Sequence, residues 1–205
     1  LTCMERAEMG QTVVEKIISA HADKKVSSGE LVVVDVDGAM ASDTTAPIAM
    51  QSFRKMGGKQ VWDPQRCFFV IDHAAPAPNE RVANLHAAMR KFARETGIRL
   101  FDAGAGICHQ LMVENRLVKP GDIFIGADSH TCSYGAVGAI GLGVGSTDLA
   151  AVMLTGQIWL RVPKTIRVNI SGKLGQWACP KDLMLAVLGR TGISGATYMA
   201  LEFSG

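Results

Sequence analysis

The sequence predicts an α/β fold of three layers, in which helices cover both faces of a mainly parallel β-sheet. Strand-like apolar runs alternate with helix-like patterns along the chain, as they do in successive βαβ units. Residues 67–71, Cys-Phe-Phe-Val-Ile, are apolar at every position, which is typical of a strand covered on both faces. Short polar segments that contain histidine follow several of these strands.

The individual elements are predicted from apolar spacing and from residues that begin or end helices. Helices are expected over residues 11–21, from 44 or 45 to 57, 79–97, 146–156 and 180–189. Strands are expected over residues 31–34, 67–71, 98–101, 122–126 and 165–170. We expect the strand at 31–34 to be buried, Asn79 and Ser146 to cap their helices, and Gly97 to end the third helix.

The composition indicates one soluble globular domain. The chain has 205 residues, of which 48% are hydrophobic and 20% charged, enough to bury a sizeable core. The formal net charge is only +2, and the Lys and Arg residues are scattered along the chain. The sequence therefore predicts neither a nucleic-acid partner nor a membrane surface.

Cysteine usage and the chain start indicate the compartment. Five cysteines at wide spacings are an odd number in a chain too long to need disulfides, so free thiols in a reducing compartment are expected. The most apolar stretch, 136–154, is rich in glycine and interrupted by polar residues, and the first ten residues do not resemble a secretory signal. A cytoplasmic location is predicted.

Three histidines are the main candidates for chemistry. His73 directly follows Asp72 at the end of one predicted strand, His130 follows Asp128 at the end of another, and His109 comes after a third strand and a glycine-containing loop. The carboxyl ends of parallel strands line one crevice, so these side chains are expected to meet. A carboxylate that accepts a ring N–H fixes the histidine tautomer, which suits acid–base catalysis. One such histidine alone is more often structural, and His21 and His86, within helices, are interpreted that way.

Two other kinds of site stay open at this point. Cys108, His109, His130 and Cys132 could supply a zinc site, although the usual close ligand spacings are missing. The glycine-rich segment 135–145 could cradle a phosphate in a nucleotide or small-molecule module, although it lacks the Lys-Ser/Thr ending of a P-loop. Close backbone packing is the preferred interpretation of these glycines.

Six short motifs are spread over nearly the whole chain from about Met9 onward. They are Gly10-Gln-Thr-Val-Val-Glu-Lys-Ile, Asp72-His73, Gly106-Ile-Cys-His-Gln110, Gly126-Ala-Asp-Ser-His-Thr131, Gly143-Val-Gly-Ser-Thr-Asp148 and Gly156-Gln-Ile-Trp-Leu-Arg-Val-Pro163. In this order they resemble the N-terminal motifs of the aconitase family. Their short spacings are more similar to the isopropylmalate dehydratase and homoaconitase branch than to aconitase itself.

The resemblance implies an aconitase-type N-terminal domain of a hydro-lyase that removes and re-adds water on a hydroxy-diacid, using a [4Fe–4S] cluster as Lewis acid. By motif, His73 with Asp72 would protonate the leaving hydroxyl, and His109 would pair with Asp128. His130 would lie in the same site, and the family pairs it with a glutamate beyond Gly205. The resemblance places further residues near the substrate, namely Ser42, Asp43, Thr45 and Ser129.

The resemblance also implies what this chain lacks. The family's three cluster cysteines would lie beyond Gly205, and Cys108 and Cys132 do not match them. We therefore expect residues 9–205 to form an aconitase-type domain that is incomplete at its C-terminus, with residues 1–8 as a non-matching extension. Alone, the chain is expected to hold no cluster and to be inactive. The implied partners are a small swivelling subunit and a dicarboxylate or tricarboxylate substrate whose identity the sequence leaves open.

Overall fold

The computed structural model describes residues 10–205, so the extension expected at residues 1–8 lies outside the described residues. The α-helices are α1 Val13–His21, α2 Ala46–Lys55, α3 Glu80–Thr96, α4 Cys108–Glu114, α5 Ser146–Thr155 and α6 Pro180–Thr191. The strands are β1 Leu31–Asp35, β2 Gly38–Ser42, β3 Cys67–Val70, β4 Arg99–Phe101, β5 Ile123–Gly126, β6 Ile140–Gly143, β7 Gln157–Arg161, β8 Lys164–Asn169 and β9 Met199–Ser204. A 3-10 helix spans Ser129–Val137.

A five-stranded sheet forms the centre of the fold, in the order β4-β3-β2-β5-β6, with every neighbouring pair parallel. One apolar core lies between this sheet and α2, α3 and α5. A second core lies on the other face, where Met40, Phe68, Val70 and Phe124 pack against α4 and the 3-10 helix. The predicted three-layer α/β/α class with a mainly parallel sheet is therefore confirmed.

The strand predicted at residues 31–34 is present, but the prediction that it is buried was wrong. Leu31 and Val33 are 62% and 59% exposed, whereas Val32 and Val34 are buried. The cause is its position, because β1 pairs antiparallel with β7 outside the central sheet and packs only one face on the core.

Several elements next to the candidate site were not predicted, among them β2, α4, the 3-10 helix and β6. Strand β2 is the middle strand of the sheet, and helix α4 follows β4 after a short loop. The expected cap of α5 was also wrong, because Gly145 occupies the N-cap position and Ser146 is the first helical residue. The Ser146 hydroxyl instead donates to the carbonyl oxygen of Thr45 at 3.3 Å, which ties α5 to the start of α2.

Helix α3 begins and ends as predicted. Asn79 accepts a hydrogen bond from the N–H of Val82, and Gly97 ends the helix in the left-handed conformation. Its buried face contains His86, Met89, Phe92 and Ala93, whereas Leu85 is 37% exposed.

Beyond β7, strands β8 and β9 form a separate parallel pair joined through α6, which has no buried residue. Within residues 10–205, no helix combines the length and the apolar character needed to cross a membrane.

Candidate acid–base site

The candidate site lies at the carboxyl edge of the central sheet, where chain segments following three parallel strands meet. Asp72 and His73 follow β3, helix α4 with His109 follows β4, and Asp128 follows β5. The sheet order reverses direction beside β2, since the chain runs outward to β3 and β4 and then returns to add β5 on the other side. Ligand crevices of open α/β sheets form at such a reversal.

Asp128 is the centre of the site because its carboxylate contacts three imidazoles. Oδ1 lies 2.9 Å from Nε2 of His109 and 2.9 Å from Nδ1 of His130, and it also accepts the backbone N–H of His130 at 2.7 Å. Oδ2 lies 3.6 Å from Nε2 of His73. Partial burial raises the pKa of Asp128, but the hydrogen bonds from His109 and His130 outweigh it and hold the pKa at about 2. At neutral pH Asp128 is therefore an anion that only accepts protons in hydrogen bonds.

His73 forms a close pair with its neighbour Asp72. Nδ1 of His73 lies 2.7 Å from Oδ1 of Asp72, and the other Asp72 oxygen accepts the backbone N–H of Cys108 at 2.7 Å. Strand β3 ends at Val70, so the two side chains are not held on opposite faces as they would be in a strand. The hydrogen bond to Asp72 raises the pKa of His73, and the nearby charges of Asp72 and Asp128 raise it further.

His109 is held on both sides of its ring. Nε2 lies against Asp128, and Nδ1 lies 3.0 Å from the hydroxyl oxygen of Tyr134 in the 3-10 helix. Tyr134 is fully buried, and this burial raises its pKa, so its hydroxyl keeps its proton. Sequence reasoning missed Tyr134, which lies in a segment of small residues whose apolar spacing gave no helix signal.

His130 is the most accessible of the three histidines, with 78% of its side chain exposed. Its ring centroid is 6.2 Å from that of His109, and its Nδ1 is 3.5 Å from the hydroxyl of the exposed residue Ser129. The structure thus brings His73, His109 and His130 around one carboxylate.

The residues at the end of β2 lie beneath His73 and not at the surface. Ser42 is fully buried, and its hydroxyl oxygen is 2.8 Å from that of Thr44. The Asp43 carboxylate is also buried and accepts the backbone N–H of His73. Thr45 is half-buried and donates to the Ser42 carbonyl oxygen at 3.3 Å. In this structure the polar atoms of Ser42 and Asp43 are engaged by the protein itself.

His86, which the sequence analysis interprets as structural, supports Asp43. Nε2 of His86, a buried residue of α3, lies 3.0 Å from Oδ2 of Asp43. Burial raises the pKa of Asp43, but hydrogen bonds from the N–H groups of Ala74 and His73 and from His86 lower it overall. The sequence signal for this contact is the position of His86 on the apolar stripe of α3, three residues before Met89. A polar side chain that is buried at such a position needs a hydrogen-bond partner.

The glycine-rich segment packs against the site, as predicted. A Cβ atom on Gly143 would come within 2.7 Å of the carbonyl oxygen of Asp128, and one on Gly141 would collide with the carbonyl oxygen of Thr131. Strand β6, which contains both glycines, can therefore approach the backbone that carries Asp128 and His130 only without side chains at these positions.

The described residues do not fit a cysteine-ligated iron–sulfur cluster. Their possible metal-binding groups are Asp72 with His73 and Cys108, and His109 with Asp128 and His130, so neither contains more than one thiol. The four residues of the zinc alternative are divided, since Cys108 falls in one group, two histidines fall in the other, and Cys132 is in neither. Burial raises the pKa of Cys108 to about 12, which further disfavours a thiolate ligand there.

A small apolar cavity adjoins the site. It has a volume of about 220 Å³ and is lined by Asp72 together with Ile71, Ala75, Gly104, Gly106 and Ile107. Ile107 is 68% exposed, so a large aliphatic side chain is available beside the acid–base pair.

The fold and site together define a class of protein, an α/β protein in which imidazoles and carboxylates pair at the ends of parallel strands. Comparison with known families agrees with this class, because the sequence pattern of the aconitase family (aconitate hydratase) matches residues 15–205. The chain belongs to the aconitase family.

Curated relatives place the chain more closely. It is 52% identical over 200 residues to the 3-isopropylmalate dehydratase large subunit of Moorella thermoacetica, covering 96% of this chain and 48% of that protein. It is 48% identical to 3-isopropylmalate dehydratase large subunit 1 of Thermotoga maritima, and the match covers 96% of this chain and 47% of that protein. The 3-isopropylmalate dehydratase large subunit 1 of Methanopyrus kandleri is 46% identical over 198 residues, and the match covers 96% of this chain and 47% of that protein. The chain spans about half the length of the curated relatives it matches.

Proposed function

We propose that this chain supplies the N-terminal part of the active site of a hydro-lyase large subunit. The complete enzyme would dehydrate and rehydrate a hydroxy-diacid such as 3-isopropylmalate or homocitrate through an unsaturated intermediate. The observation that carries the proposal is the contact of His73, His109 and His130 with the single carboxylate of Asp128. The identity of the relatives as 3-isopropylmalate dehydratase large subunits supports it.

In this proposal His73 is the proton donor. Hydroxide is a poor leaving group, so the reaction needs an acid that protonates the departing hydroxyl. The hydrogen bond to Asp72 raises the pKa of His73 and so favours the protonated ring, with one ring proton on Nδ1, 2.7 Å from Asp72. Its Nε2, 3.6 Å from Asp128, is the nitrogen left to face a substrate.

Some of the other candidate residues would contact the substrate, and the rest would support the residues that do. His130 and Ser129 are exposed and would meet the substrate, whereas His109 and Asp128 would set the charge of the site. Asp43, with Ser42 and Thr45 beside it, would act on the substrate through the loop of His73, because its carboxylate is already engaged there.

The proposed cofactor of the complete enzyme is a [4Fe–4S] cluster, which would supply a Lewis acid for the hydroxyl when bound. Because residues 10–205 offer no suitable group of thiols, its ligands would come from outside the described residues. We further propose a small subunit as partner, a cytoplasmic location, and residues 9–205 as one structural unit of the large subunit.

The apolar cavity supports a substrate with a hydrocarbon group. Its volume of about 220 Å³ beside Asp72 is large enough for a branched alkyl substituent such as isopropyl. Burying such a substituent against the exposed side chain of Ile107 would favour binding by the hydrophobic effect.

The test is catalytic. A full-length large subunit that contains this sequence, combined with its small subunit and reconstituted anaerobically with iron and sulfide, should convert 3-isopropylmalate to an unsaturated diacid, detected by its ultraviolet absorbance. His73→Asn should lower kcat by about 100-fold or more, the usual contribution of a general acid. The matched control is His21→Asn, because His21 pairs with Asp37 away from this site and should leave kcat unchanged. Equal kcat values for His73→Asn and the wild type would contradict the proposed acid.

A further inference from the structure

Three imidazole rings share the single negative charge of Asp128 at the centre of the site. Three rings contact Asp128, and one carboxylate can balance the charge of only one additional proton. His73 also has Asp72 as a partner at 2.7 Å, and Asp128 raises its pKa most when the other two rings are neutral. Of the three, His109 is the ring whose second nitrogen contacts a buried neutral hydroxyl, that of Tyr134.

The positions of the protons around His109 follow from its two partners. Asp128 is ionised and can only accept, so Nε2 of His109 must carry the hydrogen that lies between them. The Tyr134 hydroxyl is buried and stays protonated, and in the described part of the chain Nδ1 of His109 is the hydrogen-bond partner found for it. The hydroxyl therefore donates to Nδ1, and both ring nitrogens are satisfied while the ring is neutral.

We propose that Tyr134 is a positioning residue that keeps His109 neutral in its Nε2–H form and so reserves the charge of Asp128 for His73. A second proton on His109 would occupy Nδ1 and displace the Tyr134 hydrogen bond. The tyrosine proton would then be left without an acceptor in a fully buried position, which is unfavourable. A cationic His109 would also neutralise Asp128 and repel a protonated His73.

In the described part of the chain, three carboxylates lie close to the ring of His73. Asp72 lies at 2.7 Å, Asp128 at 3.6 Å and Asp43 at 3.9 Å from its ring nitrogens. Cys108 lies beside Asp72 but is uncharged, because burial raises its pKa to about 12. His109 and His130 reach His73 through the carboxylate of Asp128. Of these groups, His109 is the one whose protonation Tyr134 can control directly.

The experiment is a pH titration of the ring nitrogens in the ¹⁵N-histidine-labelled chain, followed by NMR in the wild type and in Tyr134→Phe. The phenylalanine keeps the ring that packs on Phe124 and removes only the hydroxyl. We expect the titration midpoint of His73 to fall by about half a pH unit or more, as expected for a new positive charge nearby. The Nδ1 signal of His109 should move toward that of a protonated nitrogen at the same time. An unchanged His73 midpoint in Tyr134→Phe would overturn the proposal.

Two further variants keep the test decisive. Tyr198→Phe is the matched control, because within residues 10–205 the Tyr198 hydroxyl bonds only the backbone of Arg161, so its loss should not affect His73. In a His109→Gln background, Tyr134→Phe should have no effect on His73, since the imidazole through which it acts is gone. If Tyr134→Phe fails to fold, His109→Gln alone decides, and a lower His73 midpoint in that variant would overturn the proposal.

The catalytic meaning of this inference rests on the proposed function, but its readout does not. The titration is performed on the chain without substrate, so an enzyme that fails to dehydrate 3-isopropylmalate would leave the result for Tyr134 intact. Conversely, the enzyme could be active while the titration midpoint of His73 is the same in the wild type and in Tyr134→Phe. That result would contradict only the role of Tyr134 and would leave the proposed function intact.

Discussion

Asp43 Oδ1 accepts the backbone N–H of His73 at 3.0 Å, although the two residues are 30 positions apart in the sequence. The other carboxylate oxygen accepts the N–H of Ala74 at 2.9 Å and contacts Nε2 of His86 at 3.0 Å. A buried carboxylate at the end of β2 thus fixes the loop that follows β3. The position of the proposed proton donor depends on a residue that need not touch a substrate.

Asp43→Asn should destabilise the chain, because an amide NH₂ replaces an oxygen that now accepts hydrogen bonds from protein donors. We expect the free energy of unfolding in urea to fall by about 1–3 kcal/mol, the cost of leaving a buried polar group without a partner. Asp35→Asn is the control, since Asp35 is exposed on β1 and its carboxylate accepts a hydrogen bond from Gln157 at the surface. Equal losses in the two variants would show that Asp43 does not hold the loop.

The parts of the site that lie on apolar strands could be predicted from the sequence. The run at residues 67–71 and the strand before Asp128 are apolar enough to identify, so the convergence of His73, His109 and His130 followed from the rule for parallel sheets. Strand β2 could not be found, because Gly38-Ala-Met-Ala-Ser42 has none of the β-branched residues that mark strands. Its small residues are needed for packing, since a Cβ on Gly38 would collide with the ring of Phe124.

The supporting residues could not be predicted because their role depends on tertiary contacts. Tyr134 and His86 contact His109 and Asp43 across 25 and 43 residues, respectively. No local spacing encodes such a pairing. Helix α4 was missed for a simpler reason, since it has only 7 residues and no side chain caps its N-terminus.

Gly143→Ala should distort the site without changing any of its side chains. The added methyl group would lie 2.7 Å from the carbonyl oxygen of Asp128, so the backbone there must move. We expect a loss of about 1–3 kcal/mol in the free energy of unfolding, typical of overpacking, and shifted NMR signals for His109 and His130. Gly135→Ala is the control, because nothing lies within 4 Å of a Cβ at that position. A Gly143→Ala variant as stable as Gly135→Ala would contradict the close packing.

The charge of Asp128 should contribute stability that depends on pH. Its pKa falls from 3.8 to about 2 on folding, so this contribution is present above pH 4 and is lost as the pH falls toward 2. Asp128→Asn should therefore lower the free energy of unfolding by about 2 kcal/mol at pH 6, and by about half as much at pH 3. Urea unfolding of both chains across this range checks the sign. A deficit that grows toward low pH would contradict it.

The thiols should differ in reactivity toward iodoacetamide at neutral pH. Cys132 and Cys179 are exposed, whereas Cys67 and Cys108 are buried and burial raises the pKa of both. Only the thiolate reacts, so mass spectrometry should find the exposed pair alkylated at least about 100-fold faster. In urea the buried pair should react at similar rates to the exposed pair. Rapid alkylation of Cys108 in the folded chain would contradict the burial of α4 against the sheet.

The carboxylate of Asp128 interacts with the imidazoles of His73, His109 and His130. The effect of Asp128→Asn on the NMR titration of His73 tests this central claim most directly. The asparagine keeps the shape of the side chain and removes its charge. We expect His73 to titrate above pH 6.5 in the wild type, because its pKa is raised from that value, and at a lower pH in Asp128→Asn. The same His73 titration in both chains would show that the ring does not sense Asp128, and the shared site would be refuted.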